Sequence, residues 1–233
     1  MSRRPVRFVC EGSACWGTLD QGPRPAGLLI VSGGNEIRTG AWNGQAQIAA
    51  QLAAAGHPVF RYDRRGVGES AGENAGFRGS LPDIAAAVEA FRHACPTVRH
   101  VVAFGNCDAA AALMLASGAG CSGLVLSNPW TTEDKAEQVD PPPEAVRAHY
   151  ARRLRDPAAL LRLLRGRIAL RSLLTSLVRM LKPAPPSSLA TELHAGLAGF
   201  GGPVRILLAE RDRTAQVFLA RWGRDDPRLR HCR

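Results

Sequence analysis

The chain has 233 residues, enough to bury one sizeable core, and α/β folds of this length are commonly one domain. Hydrophobic residues make up 45% and charged residues 21%, an ordinary globular composition, and no uncharged apolar run is long enough to suggest a spanning helix. The formal net charge is +10, but Arg147 to Lys182 alone carries ten basic residues against one acid, Asp156, so the excess is one basic segment in a near-neutral chain, not the even basicity of a nucleic-acid binder.

The N-terminus, Met1-Ser2-Arg3-Arg4-Pro5, has no apolar stretch behind its arginines, so no signal peptide is read there and the cytoplasm is the expected compartment. Cys10, Cys15, Cys95, Cys107, Cys121 and Cys232 form no CxxC pair and no metal-ligand spacing. A disulfide framework, a metal and a cofactor are therefore not expected, and a small buried hydrophobe is the plain reading of any one cysteine.

From Val6 to Leu19 the loose alternation with Gly12 and Gly17 predicts a two-strand ribbon. Gly27-Leu28-Leu29-Ile30-Val31 is a continuous apolar run ending in Ser32-Gly33-Gly34-Asn35, as in a strand buried on both faces. A helix is predicted from about Trp42 to Ala55, stopped by Gly56, and His57 to Tyr62 reads as the next strand, running into Asp63-Arg64-Arg65-Gly66-Val67-Gly68-Glu69-Ser70. Ser80 to Ala94 has helical spacing, with Leu81, Ile84, Val88 and Phe91 on one side, Ser80 as its cap and Asp83 three residues on.

Val98 to Phe104 is a further buried strand. It turns through Gly105-Asn106-Cys107-Asp108 into an alanine-rich helix, Ala109 to Leu115. Leu124-Val125-Leu126 is a strand ended by Asn128-Pro129-Trp130, and Val204 to Ala209 is the last clear one. This rhythm predicts a mainly parallel sheet covered on both faces. It breaks between Thr131 and Gly202, which opens with Asp140-Pro141-Pro142-Pro143 and contains Lys182-Pro183-Ala184-Pro185-Pro186. We read residues 131–202 as a basic helical cap inserted into a core made of 1–130 and 203–233.

Strand, Gly105-Asn106-Cys107-Asp108-Ala109, helix is the nucleophile-elbow pattern with cysteine in place of serine. The turn is so tight that the nucleophile takes a strained backbone and the residues two positions away must be small; Gly105 and Ala109 are. The helix start aims N–H groups at the reacting centre, a field expected to favour the thiolate. The plainer alternative for Cys107 is a buried cysteine at a helix start.

Gly33-Gly34-Asn35 resembles the oxyanion loop of α/β-hydrolases. Asp63-Arg64-Arg65-Gly66-Val67-Gly68-Glu69-Ser70 is similar to the Asp-x-Arg-Gly-x-Gly-x-Ser signature of that superfamily, and Leu207-Leu208-Ala209-Glu210-Arg211-Asp212 resembles its acid-bearing strand end. More narrowly, the Gly-Asn-Cys-Asp-Ala elbow, the Ser-Gly-Gly-Asn loop and the Glu-Arg-Asp-Arg-Thr-Ala segment resemble the exosortase A system-associated hydrolase 1 family, esterase-like proteins linked to exopolysaccharide gene clusters.

The resemblance implies that Cys107 attacks an ester or thioester carbonyl. The backbone N–H of Asp108 and one from Gly34 or Asn35 would hold the oxyanion, and Asp212 would orient a general-base histidine; Asp63 and Arg64 would brace the loop. Asp212 also admits a plainer reading, a solvated loop carboxylate among arginines. Acyl transfer on the same elbow is an alternative reaction.

In this fold the histidine follows the acid. His57, His93, His100, His149 and His194 precede Asp212; only His231 follows. One reading makes His231 the base. The other, preferred because termini hold geometry poorly, is that the terminal segment bearing the base is lost and the chain is a poorly active accessory.

In the basic segment Leu160, Leu163, Leu164, Ile168, Leu174, Leu177, Val178 and Leu181 recur at helical spacing, interleaved with arginines. The plain reading is an apolar stripe packed on the core with solvated arginines. The functional ones are attraction to anionic lipid headgroups at the inner membrane or to an acidic polymeric substrate, and a lipid-linked intermediate of polysaccharide export would suit either. Nucleic acid is not expected as a partner.

Overall fold

The computed structural model describes residues 2–132, 188–223 and 226–232. The expected ribbon is formed by β1 (Arg3–Cys10) and β2 (Ser13–Asp20), paired antiparallel around the turn Glu11-Gly12, where both residues take positive φ. Six more strands follow: β3 (Ala26–Val31), β4 (Val59–Asp63), β5 (His100–Asn106), β6 (Gly123–Ser127), β7 (Val204–Ala209) and β8 (Leu229–Cys232). Together they make one sheet in the order β1-β2-β4-β3-β5-β6-β7-β8. β2 runs antiparallel to β1 and β4; β4, β3, β5, β6, β7 and β8 pair in parallel.

Alternation along the strands builds two cores. In β3, Leu29 and Val31 join the main cluster, while Ile30 joins a smaller one with Ala49 and Val59 on the opposite face. The smaller core lies under α1 (Gly44–Ala54). The larger lies under α2 (Leu81–Ala94), α3 (Asp108–Leu115), α4 (Ser188–Ala198) and α5 (Arg213–Trp222). Strands covered on both faces are why their sequences read as apolar runs and not as alternations. In α3 every residue from Ala109 to Met114 is buried, and the alanines let the helix axis lie close to the sheet.

Three sequence expectations shift. The helix expected from Trp42 begins two residues later, because Trp42 and Asn43 take φ of 54° and 57°, outside the helical region. Ser80 does not cap α2. Its hydroxyl donates to the Gly76 carbonyl at 2.7 Å and accepts from Arg64, while Asp83 is held by Arg65; those bonds out-compete the helix N-terminus. Third, α4 falls inside the stretch read as cap, yet Leu189, Leu193 and Leu197 join the main core. Its Gly196 sits so close to α3 that a Cβ there would be 2.2 Å from the Met114 carbonyl oxygen. The arginine-rich helices expected from Leu160 to Leu181, and the proline breakers at Asp140 and Lys182, lie outside the described residues. Among the described residues no helix is long and apolar enough to cross a membrane.

Candidate active site at the β5–α3 corner

β5 delivers the chain to the carboxyl edge of the sheet, where it turns at Cys107 into α3. Cys107 has φ 58° and ψ −120°, a conformation that costs a non-glycine residue about 1–3 kcal/mol. The strain is held by three backbone bonds. Cys107 N–H donates to the Ser127 carbonyl at 2.9 Å, and its own carbonyl accepts from Ala111 at 3.2 Å and Trp130 at 3.1 Å. The corner is thereby tied to β6, to α3 and to the loop after β6. Gly105 and Ala109 meet as the elbow pattern requires, since a Cβ on Gly105 would lie 2.7 Å from the Ala109 carbonyl carbon. Cys107 is half-buried, unlike Cys10, Cys15, Cys95 and Cys121, which are buried.

The loop Ser32 to Arg38 leaves β3, the strand beside β5, and presents Gly34 and Asn35 at the same sheet edge. The Gly34 N–H donates to Asp108 Oδ2 at 2.7 Å, so in this state it serves a carboxylate. The Asn35 side chain accepts from Asn74 Nδ2 at 2.8 Å, and its backbone N–H donates to no described residue. The Asp108 N–H acts on the Cys107 sulfur.

Burial, first, and the charge of Asp108, second, push the Cys107 thiol above its ordinary value of 9.0; Asp212 adds a smaller push, and only the Asp108 N–H opposes them. The expectation that the helix start favours a thiolate is therefore overturned: desolvation and two carboxylates outweigh one N–H donor. With the folded value raised above 9.0, ionisation of the thiol is still incomplete at pH 9. Alkylation of Cys107 by iodoacetamide, followed by peptide mapping, is expected to keep rising above that pH; a plateau below pH 8 would show instead a thiolate stabilised by a cation.

Asp212 lies at the start of α5, where its Oδ1 accepts the Ala215 N–H at 3.0 Å as the helix cap. The carboxylate is partly exposed and acts electrostatically on Cys107, which places the two in one neighbourhood. A residue that the sequence reading passed over, Asn128, stitches the edge together. It has φ 43°, its N–H donates to Leu207, and its Oδ1 accepts the Ala209 N–H at 2.9 Å. The Asn-Pro pair ending β6 was the available signal for a constrained residue there.

His231 lies in β8, its backbone level with Leu208 of β7. Of the other histidines, His57 Nδ1 is at 2.8 Å from the Ala26 carbonyl before β4, and His194 stacks on Trp222 with ring centroids 3.6 Å apart. His57, His93, His100 and His194 hydrogen-bond to neither Cys107 nor Asp212.

Asp63 and its neighbours brace the edge. The Asp63 carboxylate is buried and accepts from the Arg38 N–H at 2.6 Å, from the Arg38 guanidinium and from the Glu69 N–H; Ser70 donates to the Asp63 carbonyl at 2.6 Å. Arg64 donates to Ser80 and Arg65 grips Asp83. These contacts tie the loops after β3 and β4 to each other and to α2. Among the described residues no cluster of histidine, cysteine, aspartate and glutamate could hold a metal ion.

The sheet order, the strained corner at the end of β5 and the glycine loop after β3 define the class: this is an α/β-hydrolase fold. Within it, residues 23–178 match the model of the serine aminopeptidase S33 family, Hydrolase_4, and the chain belongs to that family. The family's description names a serine; the elbow here carries Cys107. An α/β-hydrolase, GrgF from Penicillium, superposes with a TM-score of 0.63 at 17% identity, over 99% of this chain and 89% of the other. An esterase from Pyrococcus furiosus superposes at 0.61 with 12% identity, over 99% and 80%. A thioesterase domain from the curacin biosynthetic pathway superposes at 0.53 with 15% identity, over 99% and 92%. At these identities the likeness speaks to the fold. A search of curated protein sequences finds no match to this chain.

Proposed function

We propose that the protein is a carboxylic ester or thioester hydrolase that works through a Cys107 acyl-enzyme. The observation that carries this reading is the Cys107 backbone at φ 58°, held at the end of a central parallel strand by bonds from three directions. A buried structural cysteine needs no such strain, whereas a nucleophile presented above a sheet edge does.

In the proposed reaction Cys107 loses its proton to a base and its sulfur bonds to the acyl carbon. The carbonyl oxygen becomes an oxyanion held by the Asp108 N–H together with that of Asn35 or Gly34. The alkoxide or thiolate leaves with a proton, and water then breaks the C–S bond. Each oxyanion donor contributes about 3 kcal/mol to such a barrier. In this reading the base is His231, the histidine that follows Asp212, with Asp212 to orient it; β8 carries it beside β7, and a chain without a working base belongs to the second reading. The substrate class we favour is a small or lipid-linked acyl ester of an exopolysaccharide system, on the resemblance of the elbow and its two partner loops to the exosortase-associated hydrolases. Peripheral attraction to anionic lipid through the arginine-rich segment belongs to the same proposal.

A second reading has its own support. With the thiol held protonated and the Gly34 donor occupied, the chain would acylate slowly and serve as an accessory, or pass the acyl group to an alcohol instead of water. One experiment separates these. The protein is mixed with p-nitrophenyl butyrate or an acyl thioester, and intact mass and peptide mapping follow the adduct. An acyl group on Cys107 that turns over in water supports the hydrolase. Turnover only on adding an alcohol supports transfer. Hydrolysis with no adduct at Cys107 overturns the nucleophile.

A further inference from the structure

Asp108 follows the proposed nucleophile in the chain and opens α3, and its carboxylate is seated on the glycine loop. Oδ2 accepts the Gly34 N–H at 2.7 Å, and Oδ1 lies 2.0 Å from the point where a Cβ on residue 33 would stand. Glycine at 33 is thus the reason the carboxylate fits there. Among the described residues no lysine or arginine pairs with it. Unpaired by any described basic side chain, the carboxylate lies beside the sulfur and on a backbone donor that an acyl oxygen would use. Asp212 places a second negative charge within electrostatic reach of the same sulfur.

An acyl group entering this corner must bring its carbonyl oxygen towards the N–H groups and its α-substituents past the Asp108 carboxylate. A like charge held a few ångströms away at a partly exposed site is repelled strongly enough to decide between substrates, and a neutral or cationic group is not.

We propose that Asp108 is a specificity-determining residue of the Cys107 site, its carboxylate excluding acyl groups that carry a negative charge close to the carbonyl. The accepted class is then neutral or cationic acyl groups, and half-esters of short dicarboxylic acids are refused. This rests on the acyl-enzyme reading for its biological meaning. Its physical content concerns only which charges reach the thiol.

The test uses three methanethiosulfonates of similar size: one neutral, one with a sulfonate and one with a trimethylammonium group. Modification rates at Cys107 are read by peptide mapping at low salt. In the wild type the cationic reagent is expected to outrun the anionic one. In Asp108→Asn that ratio falls by about tenfold. Asp108→Glu keeps a ratio close to wild type, which loss of a purely structural contact would not predict. Asp108→Ser is measured alongside, so that misfolding of one variant leaves the other. An unchanged ratio in both neutral variants overturns the proposal. Reagent rates need no turnover. A shifted ratio without ester hydrolysis therefore counts against the hydrolase reading alone, and ester hydrolysis with an unshifted ratio counts against the Asp108 role alone.

Discussion

Cys107→Gly is expected to abolish ester and thioester hydrolysis while making the folded protein more stable. The activity loss follows from removing the atom that forms the acyl bond, and a fall of at least about a thousandfold is the usual size of such a change. The stability gain follows from the backbone. At φ 58° and ψ −120° a Cβ is in a poor region, costing about 1–3 kcal/mol, whereas glycine occupies it freely. Against this stands the extra freedom of glycine in the unfolded chain, about 0.5–1 kcal/mol. The net is a gain of about 1 kcal/mol, a rise of roughly 2–4 °C in Tm for a chain of this size. Thermal unfolding by circular dichroism, beside p-nitrophenyl ester turnover, reads both. A lower Tm would mean that the thiol packs as a core residue and that the strain argument is wrong; unchanged turnover would place the nucleophile elsewhere.

Gly105→Ala is expected to be the most damaging single methyl in the corner. The added Cβ would stand 2.7 Å from the Ala109 carbonyl carbon and 2.8 Å from both the Ala109 oxygen and the Ala110 nitrogen. These are backbone atoms of α3, and that helix is fixed by six buried side chains below it and by the Cys107 carbonyl at its start. Neither side has room to yield, so a loss of about 3–4 kcal/mol is expected, near the upper end for one substitution. Gly33→Ala is the control. Its nearest contact, at 2.0 Å, is a carboxylate oxygen of Asp108, the free end of a side chain. A rotation relieves it, so the stability loss is expected to stay below about 1 kcal/mol while the Asp108–Gly34 bond breaks. Urea unfolding of the two variants measures the contrast, and equal losses would show that the corner is softer than its geometry implies.

Much of the scaffold is legible before any coordinates. Apolar runs such as Leu28 to Val31 announce strands buried on both faces, because a covered parallel sheet leaves no polar side to alternate with. The glycine after α1 and the Gly-Asn-Cys-Asp-Ala turn are legible for a steric reason: only certain residues tolerate those bends. The start of α1 was misplaced because Trp42 and Asn43 have ordinary helix-compatible identities and adopt positive φ only in their loop. Ser80 reads as a cap in any local window; its hydroxyl is taken by Gly76 and Arg64, and Arg64 arrives from a different loop.

The chain alone determined the candidate nucleophile and its small neighbours, since a one-dimensional spacing encodes a turn with no room for side chains. The ionisation of that thiol, the Asp108 carboxylate on Gly34 and the Asn128 link between β6 and β7 were decided only by tertiary structure. Each depends on burial or on a partner far along the chain, 74 residues away for Asp108 and Gly34 and 81 for Asn128 and Ala209. Desolvation and through-space charge have no local signature in a sequence, because they are set by whatever the fold brings alongside.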